Sequence, residues 1–263
     1  EDYFLTFLER WINTDKLSIV ETAVCEVQPY MTNEWRRNGV FLLGDAAHKL
    51  PASMNLDCSL ALQDAWNLGW KLAMVLNELA DQSLLESYVQ ERRSVMKQVI
   101  TQAPLFRQAI RGGKVDRPSL TPNYGEGFIA KGQAITVGEL FSNPKVHKCN
   151  GELVQLHDVM GEHFTVLGLN KNPVDYISEH AGWQGLWDSL GTQFVWIIEP
   201  GVTMCLSGDN FTTLKDSEGK ITDWFRKQKA EFVILRPDRY VYGVYYRDLS
   251  KAERHLIPEF SIH

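Results

Sequence analysis

The side chains able to do chemistry crowd into one stretch of this 263-residue chain, Val40 to Lys71, which reads VFLLGDAAHKLPASMNLDCSLALQDAWNLGWK. Asp45 follows Gly44 at the end of an apolar run, the place where ligands meet the strand ends of open α/β sheets. His48 has the side chain best suited to exchange protons near neutral pH, and a purely structural loop histidine is the other reading of it. Asp57 stands ahead of a helical pattern. In a partly dry cavity its carboxyl would hold a proton more tightly and could act as acid or base; as a cap it would only bind backbone amides. Asp57 and His48 are therefore the catalytic candidates, and Tyr30 and Cys58 are further residues that could face the same cavity.

These residues need a scaffold. Val40-Phe41-Leu42-Leu43 is a short apolar run ended sharply by Gly44-Asp45, which predicts a buried strand. A loop containing Pro51 follows. From Ala61 the positions Ala61, Ala65, Leu68, Leu72, Val75 and Leu79 step by threes and fours along one face of a helix.

GDAAH (Gly44 to His48), Pro51 and the helix QDAWNLGWKLA (Gln63 to Ala73) together resemble the flavin-binding signature of the aromatic-hydroxylase class of FAD-dependent monooxygenases. The resemblance implies that Gly44, Asp45 and Pro51 belong to an FAD site, with the Asp45 carboxylate on the ribityl hydroxyls. It also implies a glycine-rich segment after the proline, because a Cβ would keep the backbone from the flavin ring. Here that segment is Met54 to Ala61 and contains no glycine. Asp57 within it would oppose a reduced, anionic flavin by at least about 1 kcal/mol. The dinucleotide fingerprint GxGxxG occurs nowhere in the chain. The resemblance thus covers the whole chain but only about half of a family member, which reads either as a fragment or as a shortened descendant.

The flanking sequence supplies the rest of the architecture. Asp2 to Trp11 predicts a helix with Tyr3, Phe4, Phe7, Leu8 and Trp11 on one side, and Leu17 to Val27 a strand. Leu84 to Ile100 predicts a second long helix, broken at Pro104. Residues 112–135 are rich in Gly, Pro, Asn and charge and read as a linker or irregular wrap. Beyond them, His163 to Leu169 and Phe194 to Ile198 predict two buried strands joined by a helix over Pro173 to Leu190, a parallel βαβ pair. Phe232 to Leu235 and Tyr240 to Tyr245 predict a hairpin around Arg236-Pro237-Asp238. FVILRPDRYVYGVYY resembles the end of the thioredoxin-like C-terminal domain of phenol-hydroxylase-type monooxygenases, a domain that in that family lacks a redox pair and packs or dimerises.

Composition narrows the function classes. With 44 % hydrophobic and 23 % charged residues the chain is ordinary globular protein, and a net charge of −6 argues against nucleic acid or an anionic membrane surface as partner. No apolar run approaches the ~18 residues of a membrane span. Cys25, Cys58, Cys149 and Cys205 form no CxxC pair, which predicts no zinc site and, in a cytoplasmic protein, free thiols at Cys149 and Cys205.

The expected fold is α/β in two parts: a truncated flavin-monooxygenase core over 1–111, the linker 112–135, and a thioredoxin-like domain over 136–263. The leading functional expectation is a flavin-independent enzyme without cofactor. It would use an inherited cavity for acid–base, cyclisation or rearrangement chemistry on a phenolic or polycyclic small molecule of secondary metabolism. The alternatives are part of an FAD- and NAD(P)H-dependent hydroxylase of a phenolic substrate, and a non-catalytic partner subunit. The expected partner is a second copy of the chain or a complementary N-terminal half.

Overall fold

Helical periodicity in the first part and β-branched apolar runs in the second produce two layers that meet along one long helix. A computed structural model describes residues 2–21, 23, 28–51, 54–110, 123–130, 136–178, 184–202, 205–206, 208 and 211–246. The first part comprises α1 (Asp2–Leu8), the short strands β1 (Tyr30–Met31), β2 (Arg36–Arg37), β3 (Val40–Phe41) and β4 (His48–Lys49), then α2 (Asp57–Leu76) and α3 (Glu86–Ile110). The second comprises β5 (Lys145–Lys148), β6 (Leu153–Gln155), α4 (Leu156–Met160), β7 (Thr165–Leu169), α5 (Pro173–Ser178), α6 (Gln184–Ser189), β8 (Gln193–Ile198), β9 (Thr212–Lys215), α7 (Lys220–Gln228), β10 (Ala230–Leu235) and β11 (Val241–Tyr246).

The C-terminal strands build one seven-stranded sheet in the order β11-β10-β7-β8-β9-β5-β6. The expected βαβ pair is present: β7 and β8 run parallel, with Thr165 opposite Gln193. The expected hairpin is present too, with β10 and β11 antiparallel and the Arg236–Arg239 turn between them. One face of the sheet closes over Leu156, Leu167, Val195, Leu214 and Phe225. Phe164, Trp187, Phe232 and Tyr242 pack in a separate cluster with Trp70 of α2, which joins the two parts. Tyr124 and Ala130, inside the segment expected to be a linker, are buried at this junction.

Several expectations fail, each for a physical reason. The apolar run 40–43 is not a buried strand: only Val40–Phe41 joins a ladder, it pairs antiparallel with β2 alone, and Val40 is 64 % exposed. No strand among the described residues lies along its other edge, so it stays in a two-stranded ribbon, with Phe41, Leu42 and Leu43 only half-buried against the core. Residues 17–21 and 23 form no strand, since no neighbouring strand offers them a ladder; 22 and 24–27 lie outside the described residues. Helix α1 ends at Leu8, and Tyr3, Phe7 and Trp11 face solvent. Helix α3 runs through Pro104, because Tyr88, Val95, Met96 and Val99 anchor it to the core. The helix expected over 173–190 is seen as α5 and α6, with 179–183 outside the described residues.

Cys149 and Cys205 are not free thiols. They form a disulfide, with Cα atoms 5.8 Å apart. Antiparallel pairing of β9 with β5 brings the flanking loops together, a proximity that a separation of 56 residues hides from the sequence. Cys58 is free and exposed. Among the described residues no helix is long and apolar enough to cross a membrane, and no His/Cys/Asp/Glu group could hold a metal ion.

Candidate functional site

Gly44 to Ala46 form a tight 3-10 turn. Gly44 sits at φ +53°, and a Cβ there would come 2.9 Å from the Ala61 Cβ, so both the backbone angle and the approach of α2 require glycine. The turn is held from inside by Asp64. The Gly44 N–H donates to Asp64 Oδ2 at 3.0 Å, His48 Nε2 lies 2.6 Å from the same oxygen, and Arg92 Nε donates to Oδ1 at 2.6 Å. Asp64, His48 and Arg92 are fully buried. Burial alone would push the Asp64 carboxyl up, but His48 and Arg92 reverse this and hold it below the usual carboxylate range. An ionised Asp64 assigns the shared proton to His48 Nε2. His48 is therefore enclosed and engaged, with no open path to a substrate.

Outside the turn the picture inverts. The Asp45 side chain is 62 % exposed and takes Lys49 Nζ at 2.5 Å, while the Tyr30 hydroxyl donates to the Asp45 carbonyl. That bond to Asp45 raises the Lys49 ammonium above its ordinary value. Asp57 is the first residue of α2, and its Oδ1 accepts the Leu50 N–H at 3.0 Å. Its other oxygen lies 4.0 Å from Lys49, which offsets the charge expected to oppose a flavin. Pro51 accepts the Met54 N–H at 2.9 Å, and Asn55 adopts φ +51°. Asparagine tolerates that left-handed conformation, so the loop makes a glycine-like turn without glycine. Cys58 points outward on the first turn of α2.

A second buried cluster lies farther along α2. All five N–H groups of Arg236 are used: Nη1 and Nη2 each donate to Glu91 at 2.8 Å, Nη1 also to the Phe128 carbonyl at 3.0 Å, and Nε and Nη2 to Asp238 at 3.0 and 2.7 Å. Lys71 Nζ donates to Glu91 at 2.6 Å and to Asn67 at 2.9 Å. Gly127, at φ +112°, lets the 123–130 segment pass over Glu91, where a Cβ would come within 2.4 Å of the carboxylate stem. Burial pushes Glu91 up, but Arg236 and Lys71 overrule it and bring it down to about 2. Burial pulls Lys71 down to about 8 even with Glu91 beside it.

Residues 11–103 match the FAD binding domain family and residues 138–257 the HcaD C-terminal domain family. The 3-(3-hydroxy-phenyl)propionate/3-hydroxycinnamic acid hydroxylases of Escherichia coli and Shigella sonnei are 28 % identical over 87 % of the chain and 46 % of their own length. The chain is homologous to aromatic hydroxylases. It aligns with their C-terminal half and spans about half the length of the curated relatives it matches. The fold agrees. A complex of aklavinone-11 hydroxylase with FAD and aklavinone superposes with a TM-score of 0.61 at 22 % identity, over 82 % of this chain and 42 % of that one. The flavin-dependent monooxygenase PieE gives 0.63 at 19 %, over 84 % and 47 %. The rebeccamycin biosynthetic enzyme RebC with reduced flavin gives 0.56 at 18 %, over 82 % and 43 %.

Within this hydroxylase homologue the structure brings Gly44 and Asp45 to one turn with His48 on the strand that follows, Pro51 in the loop beyond it and Asp57 at the start of α2. It spends His48 and Asp57 on internal bonds. Sequence reasoning missed Asp64, Glu91 and Arg236. One signal was available: Arg92 falls on the same helical stripe as Leu85, Tyr88, Val95 and Val99, and a charge on an apolar stripe needs a buried partner.

Proposed function

We propose that the hydroxylase homologue supplies the flavin-side part of an FAD site in an FAD- and NAD(P)H-dependent monooxygenase that hydroxylates a phenolic or polycyclic small molecule. The observation that carries this is the Gly44–Ala46 turn, locked inside by Asp64 and presenting Asp45 outward. The residues fit the flavin half of FAD: an exposed carboxylate for ribityl hydroxyls at Asp45, and a left-handed backbone at Asn55. When bound, FAD would supply the redox and oxygen chemistry. The chain's own work would be binding and orientation. Asp45 accepts hydroxyl donors, Lys49 pairs with its carboxylate, and Ala61 sets the spacing of turn and helix. The pyrophosphate needs a helix N-terminus behind a glycine-rich turn, and no GxGxxG occurs in the sequence.

A second protein surface is part of this reading. Leu62, Trp66 and Leu76 are exposed along α2, where a groove of about 610 Å³ separates it from the C-terminal sheet. A complementary N-terminal half, in the same polypeptide or another, or a second copy of the chain would cover it. The Cys149–Cys205 bridge removes the thiol count as a reason to expect a cytoplasmic setting. A flavin-independent reaction retains one supporting observation, the glycine-free segment Met54 to Ala61.

The test is to join the chain to the N-terminal half of a relative and follow FAD retention and NADPH consumption with 3-(3-hydroxyphenyl)propionate and larger phenols. Retained FAD with phenol-dependent NADPH oxidation supports the proposal. A colourless complex that still converts a phenol would establish the flavin-independent reading instead. The chain by itself should bind FAD more weakly than micromolar.

A further inference from the structure

The Arg236–Asp238 turn belongs to the C-terminal unit, yet one buried line of hydrogen bonds connects it to the Gly44 turn. Arg236 Nη2 donates to Asp238 at 2.7 Å, the two Asn67 Nδ2 protons are shared among Glu91 at 2.7 Å, Asp238 at 2.9 Å and the Tyr124 hydroxyl at 3.2 Å, and Arg92 Nη1 donates to that hydroxyl at 3.4 Å. Arg92 Nε then reaches Asp64, and Asp64 the Gly44 N–H. A side branch runs from Arg92 Nη1 through Gln63 Oε1, at 3.3 Å, to the Tyr240 hydroxyl, at 3.5 Å. Tyr240 is stacked on Tyr124 with ring centroids 3.9 Å apart. Burial pushes the Tyr124 hydroxyl far above its ordinary value, so it remains a neutral bridge.

We propose that the Arg236-Pro237-Asp238 turn is a positioning element for the Gly44–Ala46 turn, acting through Asn67, Tyr124, Arg92 and Asp64. With water excluded from the core, each group is oriented by its neighbours rather than by solvent. The Gly44 amide has a single proton to donate, and Asp64 receives it; Asp64 is in turn fixed by Arg92. The C-terminal unit would thus set the outward angle of Asp45, a role that rests on the flavin reading above only for what Asp45 then binds.

The experiment uses the full chain labelled with ¹⁵N-glycine and ¹⁵N-histidine, in Tyr124→Phe and Asp238→Asn. Tyr124→Phe deletes only the bridging hydroxyl, and Asp238→Asn keeps the shape of the far end should the first variant fold poorly. The expected result is a displaced Gly44 amide resonance and displaced His48 ring resonances, with the distant Gly151 and Gly201 unmoved. In the complex with an N-terminal half, FAD affinity should fall about tenfold, the equivalent of one hydrogen bond. Variants that melt earlier but leave Gly44 and His48 unmoved would reduce the network to a structural clamp and overturn the proposal. A displaced Gly44 with unchanged FAD affinity would uphold the relay and sink the flavin reading instead.

Discussion

Arg236→Met is the substitution that strains this architecture most specifically. Methionine follows the arginine stem closely enough that little cavity opens, so the loss is that of the guanidinium. That group bonds Glu91 twice, Asp238 twice and the Phe128 carbonyl once, all buried. Removing one member of a buried ion pair costs about 3–5 kcal/mol, because its partners are left without compensation. Lys71 still holds Glu91 at 2.6 Å and Asn67 still holds Asp238 at 2.9 Å, which places the expectation near the lower end. For a domain of this size that is a fall in Tm of roughly 10 °C. Urea unfolding of Arg236→Met beside Arg226→Met makes the assay internal, since Arg226 pairs with Glu199 at 3.1 Å on the surface and should matter by less than about 1 kcal/mol. Equal small losses in the two variants would refute the claim that the Glu91–Arg236 junction holds the two parts together.

Four further outcomes are expected. Glu91 is held at about 2 against an ordinary 4.5, so its contribution is present above pH 4.5 and lost as pH falls toward 2; acid titration of the unfolding midpoint should show a loss on the order of 3 kcal/mol across that window. Lys71, lowered from 10.5 to about 8, adds stability as pH rises between those values, so an alkaline midpoint that falls over that range would contradict its burial. Reduction of Cys149–Cys205, which spans 56 residues, should cost roughly 4 kcal/mol, and an intact mass that gains no hydrogens on reduction would rule the bridge out. Gly44→Ala should lose about 2–4 kcal/mol through backbone strain and the Ala61 clash, and Ala61→Gly in the same chain should restore the clash part; no restoration would show that Ala61 is not the neighbour that matters.

Four of the seven strands of the C-terminal sheet, β7, β8, β10 and β11, were legible because each is an apolar run bounded by turn residues, as in HFTVLGL, FVWII and the hairpin around Arg236-Pro237-Asp238; β5, β6 and β9 (KVHK, LVQ and TTLK) carry no such run and were missed. The run 40–43 had the same appearance but not the same fate, since burial of a strand depends on neighbours that its own residues do not encode. The α2 stripe was read from Ala61, Ala65 and Leu68, whereas the buried side is Leu60, Asp64, Asn67, Leu68, Trp70 and Lys71. Apolar periodicity could not find that side because half of it is polar and is satisfied from other elements, by residues 16 to 171 positions away. Gly44 and Asp45 were legible as a turn by their chemistry. That Asp64 holds the turn was not, because an acidic residue in a helix ordinarily faces solvent.

The most direct test of the flavin-side turn is FAD titration of the chain joined to an N-terminal half, wild type against Asp45→Ala. Asp45 is exposed and bonded only to Lys49 through its side chain, so the substitution leaves the buried network intact and the melting temperature unchanged. Loss of one charge-assisted acceptor for ribityl hydroxyls predicts FAD affinity weaker by about tenfold or more. Equal affinity in the two proteins, each folded and saturable with FAD, would contradict the assignment of the Gly44–Ala46 turn to the cofactor.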